Sequence, residues 1–453
     1  MKIHFIAVGG SIMHSLAIAL HQMGHEVSGS DDHIYDPASS NLAAHGLLPE
    51  RFGWHPEQIT GDIDAIILGM HAFEDNPELH RANELGLNIY SFPEFIFEHS
   101  KQKQRIAIAG SYGKTTVTSM VMHVLKGAGK KFDYLVGGQV PGFENSVQLS
   151  EEAPIIVLEG DEYLSSRIDK RPKFLLYKPH MVTLSGISWD HINVFPTEEE
   201  YVEQFRLLIR SLSKAADIIY CESDERLNTL IQEETDPELH YLHPFSHPSY
   251  LITEGKYTVE IEGEKGEVSV IGKHNMANLL SAWKVCQLLG VEAQEFLSHI
   301  QSFIGAHSRL EVLQESSGEV VIRDYAHAPA KVQASVEAVR ERFQDHNLIA
   351  CVELHTFSSL NKDFLPMYQN TLGPADRKII FVDPHALEKR RMPMISHQDL
   401  QEAFGDHELL YVNSPTELQE VIDQSLSGKD VLLMMSSGNF GGVNMDSLLN
   451  GNG

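Results

Sequence analysis

Cysteine is scarce in this chain: among 453 residues there are three, Cys221, Cys286 and Cys351, far apart and without paired spacing. That excludes a disulfide framework or a zinc knuckle and points to a reducing compartment, the cytoplasm. Positive charge is also short, with 35 lysines and arginines against 63 aspartates and glutamates and a formal net charge of -28. Such a chain repels nucleic acid and anionic membranes, so neither is an expected partner. No stretch approaches the ~18 uninterrupted apolar residues of a membrane span. The opening Met1-Lys2-Ile3-His4-Phe5-Ile6-Ala7-Val8-Gly9 is too short for a secretion signal and reads as a first strand. Repeats and low-complexity tracts are missing, and Asn450-Gly451-Asn452-Gly453 reads as a frayed tail. Monomer and weak dimer both remain open.

What is present centres on Arg105-Ile106-Ala107-Ile108-Ala109-Gly110-Ser111-Tyr112-Gly113-Lys114-Thr115-Thr116. The apolar run before Gly110 predicts a buried parallel strand, and Val117, Met120, Val121, Val124 and Leu125 fall at helical spacing up to Gly127. A glycine loop between strand and helix points backbone N–H groups at an anion. The helix end adds partial positive charge, Lys114 a full one, and the Thr115 hydroxyl suits Mg2+. Gly-x-x-Gly-Lys-Thr-Thr is shorter than the common phosphate-loop signature, because Ile108 stands where the first glycine would be. The bland alternative is a chance Gly-Lys-Thr at a helix start.

The length suits roughly three domains. Residues 1–100 begin with a strand, the turn Gly9-Gly10-Ser11, a helix to Gly24 and a second strand into Gly29-Ser30-Asp31. This is a Rossmann-type layout, but Ala7 and Ile12 break the dinucleotide fingerprint, so the expected ligand is a nucleotide or nucleotide-sugar and a dehydrogenase is rejected. A plain α/β unit with a glycine turn is the alternative. Ala65-Ile66-Ile67-Leu68 predicts a third strand, followed by a loop with His71 and Asn76 that suits either ligand contact or surface. The polar run 98–104 marks a boundary.

Residues 101–305 form the expected hydrolysable-nucleotide and metal domain. Ile155 to Leu158 and Met181 to Leu184 predict strands ending in Glu159-Gly160-Asp161-Glu162 and in Ser188-Trp189-Asp190-His191. In an open parallel sheet such ends face the ligand crevice. Thr115 and Glu159 suit one magnesium, and His191 a second; a solvated acid and a structural histidine are the alternatives. Asn275 and Asn278 lie three apart at a helix start, as caps or as readers of a purine edge. Residues 306–453 predict a third α/β domain with strands Val320 to Arg323, Leu348 to Val352, Ile379 to Val382, Leu409 to Val412 and Val431 to Met435. There Arg309 and Asp324 are either nucleotide ligands or an ion pair. The fold class is thus α/β with three domains: a Rossmann-like N-terminal one, a central phosphate-loop ATPase-like one with a mostly parallel sheet, and a Rossmann-like C-terminal one.

Together the turn at 9 to 13, Gly29-Ser30-Asp31, Gly110-Ser111-Tyr112-Gly113-Lys114-Thr115-Thr116, Glu159-Gly160-Asp161-Glu162, Asp190-His191, Asn275 with Asn278, Arg309 and Asp324-Tyr325-Ala326-His327-Ala328-Pro329 resemble the Mur ligases. These are ATP-dependent amide-forming enzymes of peptidoglycan synthesis. Ile34-Tyr35-Asp36-Pro37 and Asp169-Lys170-Arg171-Pro172-Lys173-Phe174 incline the resemblance to the muropeptide-recycling branch, with the muramate:L-alanine branch next. The resemblance implies ATP as co-substrate, Mg2+, and UDP-N-acetylmuramate and a murein tripeptide as partners. It implies that Gly9, Gly10, Ser11, Ser30 and Asp31, with His71 nearby, hold the UDP-sugar. Gly110, Ser111, Tyr112, Gly113, Lys114, Thr115 and Thr116 would hold the phosphates, with Glu159 and His191 on the metal; Lys114, Glu159 and His191 would be catalytic. Asn275 and Asn278 would meet adenine, and Arg309 and Asp324 the phosphate and ribose. Ser111-Tyr112 departs from the commoner Thr-His of the loop. Arg206 stands near the place of a carbamylated lysine in several relatives, so no such lysine is expected. A nucleotide sensor without catalysis is the reading from another class.

Overall fold

The computed structural model describes residues 1–443 except 190, 191, 193, 254, 317 and 427; Asp190, His191 and the C-terminal tail therefore lie outside the described residues. Among the described residues four sheets follow one another along the chain, three large and one small. In the first, Glu26–Ser30, Lys2–Ile6, Ala65–Leu68 and Ile89–Ser91 lie side by side in that order, all parallel. Helices Ser11–Gln22 and Phe92–His99 pack against this sheet. The predicted third strand is the buried run Ala65–Leu68.

The second sheet has seven strands. Gln104–Ala109 sits at its centre between Met181–Leu184 and Ile155–Glu159. Outward on one side come Asp217–Cys221 and Tyr241–Phe245, and on the other Phe132–Leu135 and the antiparallel Val147–Gln148. Ile106 to Ala109 are almost wholly buried, because a central parallel strand is covered on both faces and must be apolar throughout. The joint to the first lobe is stapled by Lys103, whose ammonium donates to Asp133 at 2.6 Å, with His99 3.5 Å from the same carboxylate.

A small antiparallel sheet of Tyr250–Thr253, Lys256–Ile261 and Glu264–Val268 follows. The sequence reading does not include it. Its outer positions carry Lys256, Glu260, Glu264, Lys265 and Glu267, while Tyr257, Val259 and Ile261 alternate inward, and Glu262 and Gly263 at φ 52° and 86° make a two-residue hairpin turn. The last sheet runs Glu311–Ser316, Glu319–Asp324, Asp430–Met435, Asn347–Glu353, Arg377–Phe381 and Leu410–Val412. It contains the five predicted strands, plus the antiparallel edge strand Glu311–Ser316. The chain is thus a three-part α/β protein with mostly parallel sheets, as predicted.

Candidate active site: a phosphate loop facing a cavity

The central strand Gln104–Ala109 delivers the chain to a loop of four residues before helix Lys114–Gly127. Gly110 and Gly113 take φ of 124° and 76°, a region costly for residues with a Cβ. Side chains also press on both: a Cβ on Gly110 would strike Ser185 and one on Gly113 the carboxamide of Asn278. The loop is clamped from the neighbouring strand end, since Ser111 N–H donates to Gly186 O at 3.0 Å and Ser185 N–H to Ala109 O at 3.2 Å. Tyr112 lies under the loop with its hydroxyl 3.4 Å from Asp224. Thr116 is buried in the first turn of the helix.

Lys114 curls back so that its ammonium donates to Gly110 O at 2.7 Å and to Glu162 at 2.8 Å. Burial works against this charge, but Glu162, Asp161 and Glu159 outweigh it, and the amine is held above its ordinary value and stays cationic. Thr115 donates its hydroxyl to Glu159 at 3.1 Å, and Gly137 N–H donates to the other Glu159 oxygen at 2.8 Å. Burial pushes the Glu159 carboxyl up despite Gly137, Lys114, Thr115 and Arg309. A carboxylate short of counter-charge beside a hydroxyl is an oxygen donor set that fits a hard divalent cation. Among the described residues no cluster of three His, Cys, Asp or Glu side chains surrounds that point.

A cavity of about 730 Å³ opens from this loop toward the C-terminal part, where helix Pro329–Arg342 forms the far wall. Lys114, Thr115, Glu159, Asn275, Asn278, Arg309 and Asp324, assigned to one ligand from the sequence, all line it. Two of those assignments change in detail. Asn275 donates to Ile271 O at 2.9 Å and Asn278 donates to Asn275 at 3.1 Å, so Asn278 braces Gly113 as well as facing the cavity. Arg309 and Asp324 are not an ion pair: Arg309 lies 4.4 Å over the Tyr325 ring. Asp324 accepts from Leu310 N–H at 3.1 Å, from Tyr325 N–H at 2.9 Å and from the Ser335 hydroxyl. Its carboxylate thereby fixes the two loops that frame the cavity.

The N-terminal set assembles separately. Asp31 is buried at the end of Glu26–Ser30 and accepts from Gly9 N–H at 2.8 Å, with His71 3.8 Å away. Burial opposes its charge, but His71 and Gly9 prevail and the carboxyl is held low, while Asp31 chiefly raises His71. Gly10 caps helix Ser11–Gln22, whose first residue, Ser11, is exposed. Ser30 is turned inward and donates to the buried Glu78, which removes its hydroxyl from any open surface. Asn76, a loop candidate, caps helix Pro77–Glu84. None of Gly9, Gly10, Ser11, Ser30, Asp31 and His71 lines the large cavity. A strap after Glu159 bridges the two regions: Arg167 donates to Met70 O at 2.9 Å and stacks on Phe73, and Arg171 pairs with Glu94 at 2.9 Å.

Sequence reasoning missed the partners that hold the loop. Glu162 was in view as part of an acidic run, but nothing in the run distinguishes it from Glu159. Tyr201 and Asp224 carry no local signal beyond the helix-capping position of Asp224. Arg206, near the place of the carbamylated lysine of several relatives, is held by Glu234 and by Glu203 at 3.1 Å.

A phosphate loop with a lysine and a metal-ready carboxylate at one cavity wall, closed by a second α/β part, defines a nucleotide-dependent enzyme that works between lobes. Comparison with known proteins gives the family: residues 2–104 match the Mur ligase catalytic domain, 108–286 the Mur ligase middle domain, and 308–438 the Mur ligase glutamate ligase domain. The chain belongs to the Mur ligase family and is an ATP-dependent ligase. It is 29% identical to the UDP-N-acetylmuramate–L-alanyl-γ-D-glutamyl-meso-2,6-diaminoheptandioate ligase of Escherichia coli, over 99% of this chain and 98% of that protein. It is 28% identical to the UDP-N-acetylmuramate–L-alanine ligase of Rubrobacter xylanophilus, over 97% of each. A crystal structure of a murein peptide ligase from Psychrobacter arcticus has the same fold, with a TM-score of 0.67 at 23% identity over 99% of this chain and 98% of that one.

Proposed function

We propose that this ligase joins the lactyl carboxylate of UDP-N-acetylmuramate to the free amine of L-Ala-γ-D-Glu-meso-diaminopimelate, returning a recycled tripeptide to peptidoglycan synthesis. The carboxylate oxygen attacks the γ-phosphorus of ATP and ADP leaves. The amine then attacks the acyl phosphate, loses its proton, and inorganic phosphate departs from the tetrahedral intermediate. The observation that carries this reading is the Lys114 ammonium, held cationic at the mouth of the loop beside Thr115 and Glu159. The first step brings two anions together, and a fixed cation in a water-poor site offsets their repulsion.

Thr115 and Glu159 would hold Mg2+, with His191 as a further ligand outside the described residues. The ion would supply charge neutralisation at the transferred phosphoryl group. Asn275 and Asn278 would receive the adenine of ATP, Arg309 and Asp324 its phosphate and ribose side, and Gly9, Gly10, Ser11, Asp31 and His71 the UDP-sugar, with Ser30 supporting from behind. The three cysteines are buried and unpaired, in keeping with a cytoplasmic enzyme. The E. coli relative named for the tripeptide favours this acceptor, and the R. xylanophilus relative named for L-alanine favours the second reading. Release of phosphate from ATP and UDP-N-acetylmuramate with either acceptor decides between them. Turnover with tripeptide alone is expected; turnover with L-alanine alone would establish the second reading, and none with either acceptor would remove both.

A further inference from the structure

Behind the phosphate loop, Glu162 and Tyr201, to which the proposed reaction gives no role, link Lys114 to Ser111. Glu162 is fully buried, and one of its oxygens accepts from Lys114 at 2.8 Å. Its other oxygen accepts from the Tyr201 hydroxyl at 2.9 Å, and Tyr201 is fully buried too, on helix Glu198–Ser211. The same hydroxyl lies 2.9 Å from Ser111 Oγ, and Ser111 Oγ accepts from Ser188 N–H at 2.7 Å. A tyrosine hydroxyl has one proton and a carboxylate only accepts. Tyr201 therefore donates to Glu162, and Ser111 donates to Tyr201. The direction is fixed along the whole line: Ser188 N–H to Ser111, Ser111 to Tyr201, Tyr201 to Glu162, with Lys114 donating from the other end.

This line ties the second residue of the loop to the lysine that follows it. Lys114 is long and flexible, and an amine on four methylenes loses considerable rotamer freedom when held. Gly110 O and Glu162 hold it at two points before any phosphate arrives. Glu159 is engaged elsewhere, by Thr115 and Gly137, so the two acids of one short run have separate tasks.

We propose that Glu162 and Tyr201 are positioning residues for phosphoryl transfer, which fix the Lys114 ammonium in the loop and act through it without touching the nucleotide. Glu162→Gln keeps the shape and the acceptor for Tyr201 but turns an amide N–H₂ toward the ammonium. Tyr201→Phe keeps the ring packing and removes the donor. The purified full-length chain is assayed for kcat and KM by ADP release, for ATP affinity by calorimetry, and for melting temperature.

The expected result for Glu162→Gln is kcat lower by about 10- to 100-fold, the loss that a small misplacement of a reacting group brings, with ATP affinity within about twofold of the parent. Tyr201→Phe is expected to move kcat in the same direction by less, and it reports on the line even if the glutamine variant does not fold. With Lys114→Ala already present, Glu162→Gln should lower kcat no further. A lowered melting temperature with kcat unchanged in both variants would make the line purely structural and overturn the proposal. Tighter ATP binding with kcat unchanged would overturn it differently, by showing that Glu162 competes with phosphate for the lysine.

Discussion

Two glycine turns in this molecule share one plan and do opposite things. Each leaves a parallel strand and enters a helix: Lys2–Ile6 leads through 7–10 to helix Ser11–Gln22, and Gln104–Ala109 leads through 110–113 to helix Lys114–Gly127. In the second turn, glycines with positive φ sit beside a lysine, so the loop offers donors and charge to an anion. In the first, the only positive φ among 7–10 belongs to Ala7, no cation stands at the helix start, and the N–H of Gly9 is already given to Asp31. That turn offers an acceptor: Asp31 is held as a carboxylate, and its other oxygen is buried without a protein partner. Topology therefore sets where the turn lies, and the residues entering the helix set whether it presents donors and charge or an acceptor.

The sharpest break in this contrast is Lys114→Ala, which should reduce turnover by about 10²- to 10³-fold or more, the scale of losing a charge-stabilising donor at a reacting centre. It also strips buried Glu162 of its counter-charge, so the melting temperature should fall with it. Turnover within a few-fold of the parent would take the loop out of the chemistry.

Next in size is a matched pair, Gly113→Ala and Gly10→Ala. The first forces a Cβ into a left-handed conformation against Asn278 and should cost about 1–3 kcal/mol in denaturant unfolding, together with ATP affinity. The second has φ −62° and meets only the flexible Met13 side chain at 3.3 Å, so its change should stay below about 0.5 kcal/mol. Equal losses would erase the distinction between the turns.

Asp31→Asn should raise KM for the sugar nucleotide by about tenfold, the worth of a charged hydrogen bond, and leave ATP affinity unchanged. A shift in ATP affinity instead would place Asp31 in the wrong site.

The smallest effect is the His71–Asp31 pair, since His71 is half exposed. His71 is raised and Asp31 lowered. The histidine's contribution is thus full below about pH 6.5 and is lost as pH rises through its folded value, whereas the carboxylate's is present above about pH 3.9 and is lost as pH falls through its own. His71→Ala should lower stability by less than about 1 kcal/mol near pH 6 and by almost nothing near pH 9. A loss of the same size at both would mean packing and not charge.

Much of this was readable from residue order. Apolar runs such as Ile106 to Ala109 and Ala65 to Leu68 announced buried parallel strands because both faces of those strands are covered, and the lysine after Gly113 announced an anion site by chemistry alone. What stayed hidden depends on distant parts of the chain. Ser111 and Tyr201 meet across 90 positions, and Gly113 needs its lack of a side chain because Asn278 lies against it. Ser30, a UDP-sugar candidate by resemblance alone, donates its hydroxyl to Glu78, 48 positions along the chain. The strands at 250–268 escaped notice because an exposed hairpin sheet can carry charge along one face without losing its core contacts.

The most direct test follows the oxygen atoms. With oxygen-18 in the lactyl carboxylate of UDP-N-acetylmuramate, and ATP and tripeptide unlabelled, the phosphate released in one turnover is analysed by mass spectrometry. Transfer of carboxylate oxygen to the γ-phosphoryl group requires one heavy oxygen in each phosphate. Phosphate free of the label, formed as fast as amide, would contradict the acyl-phosphate route on which the reading of Lys114 rests.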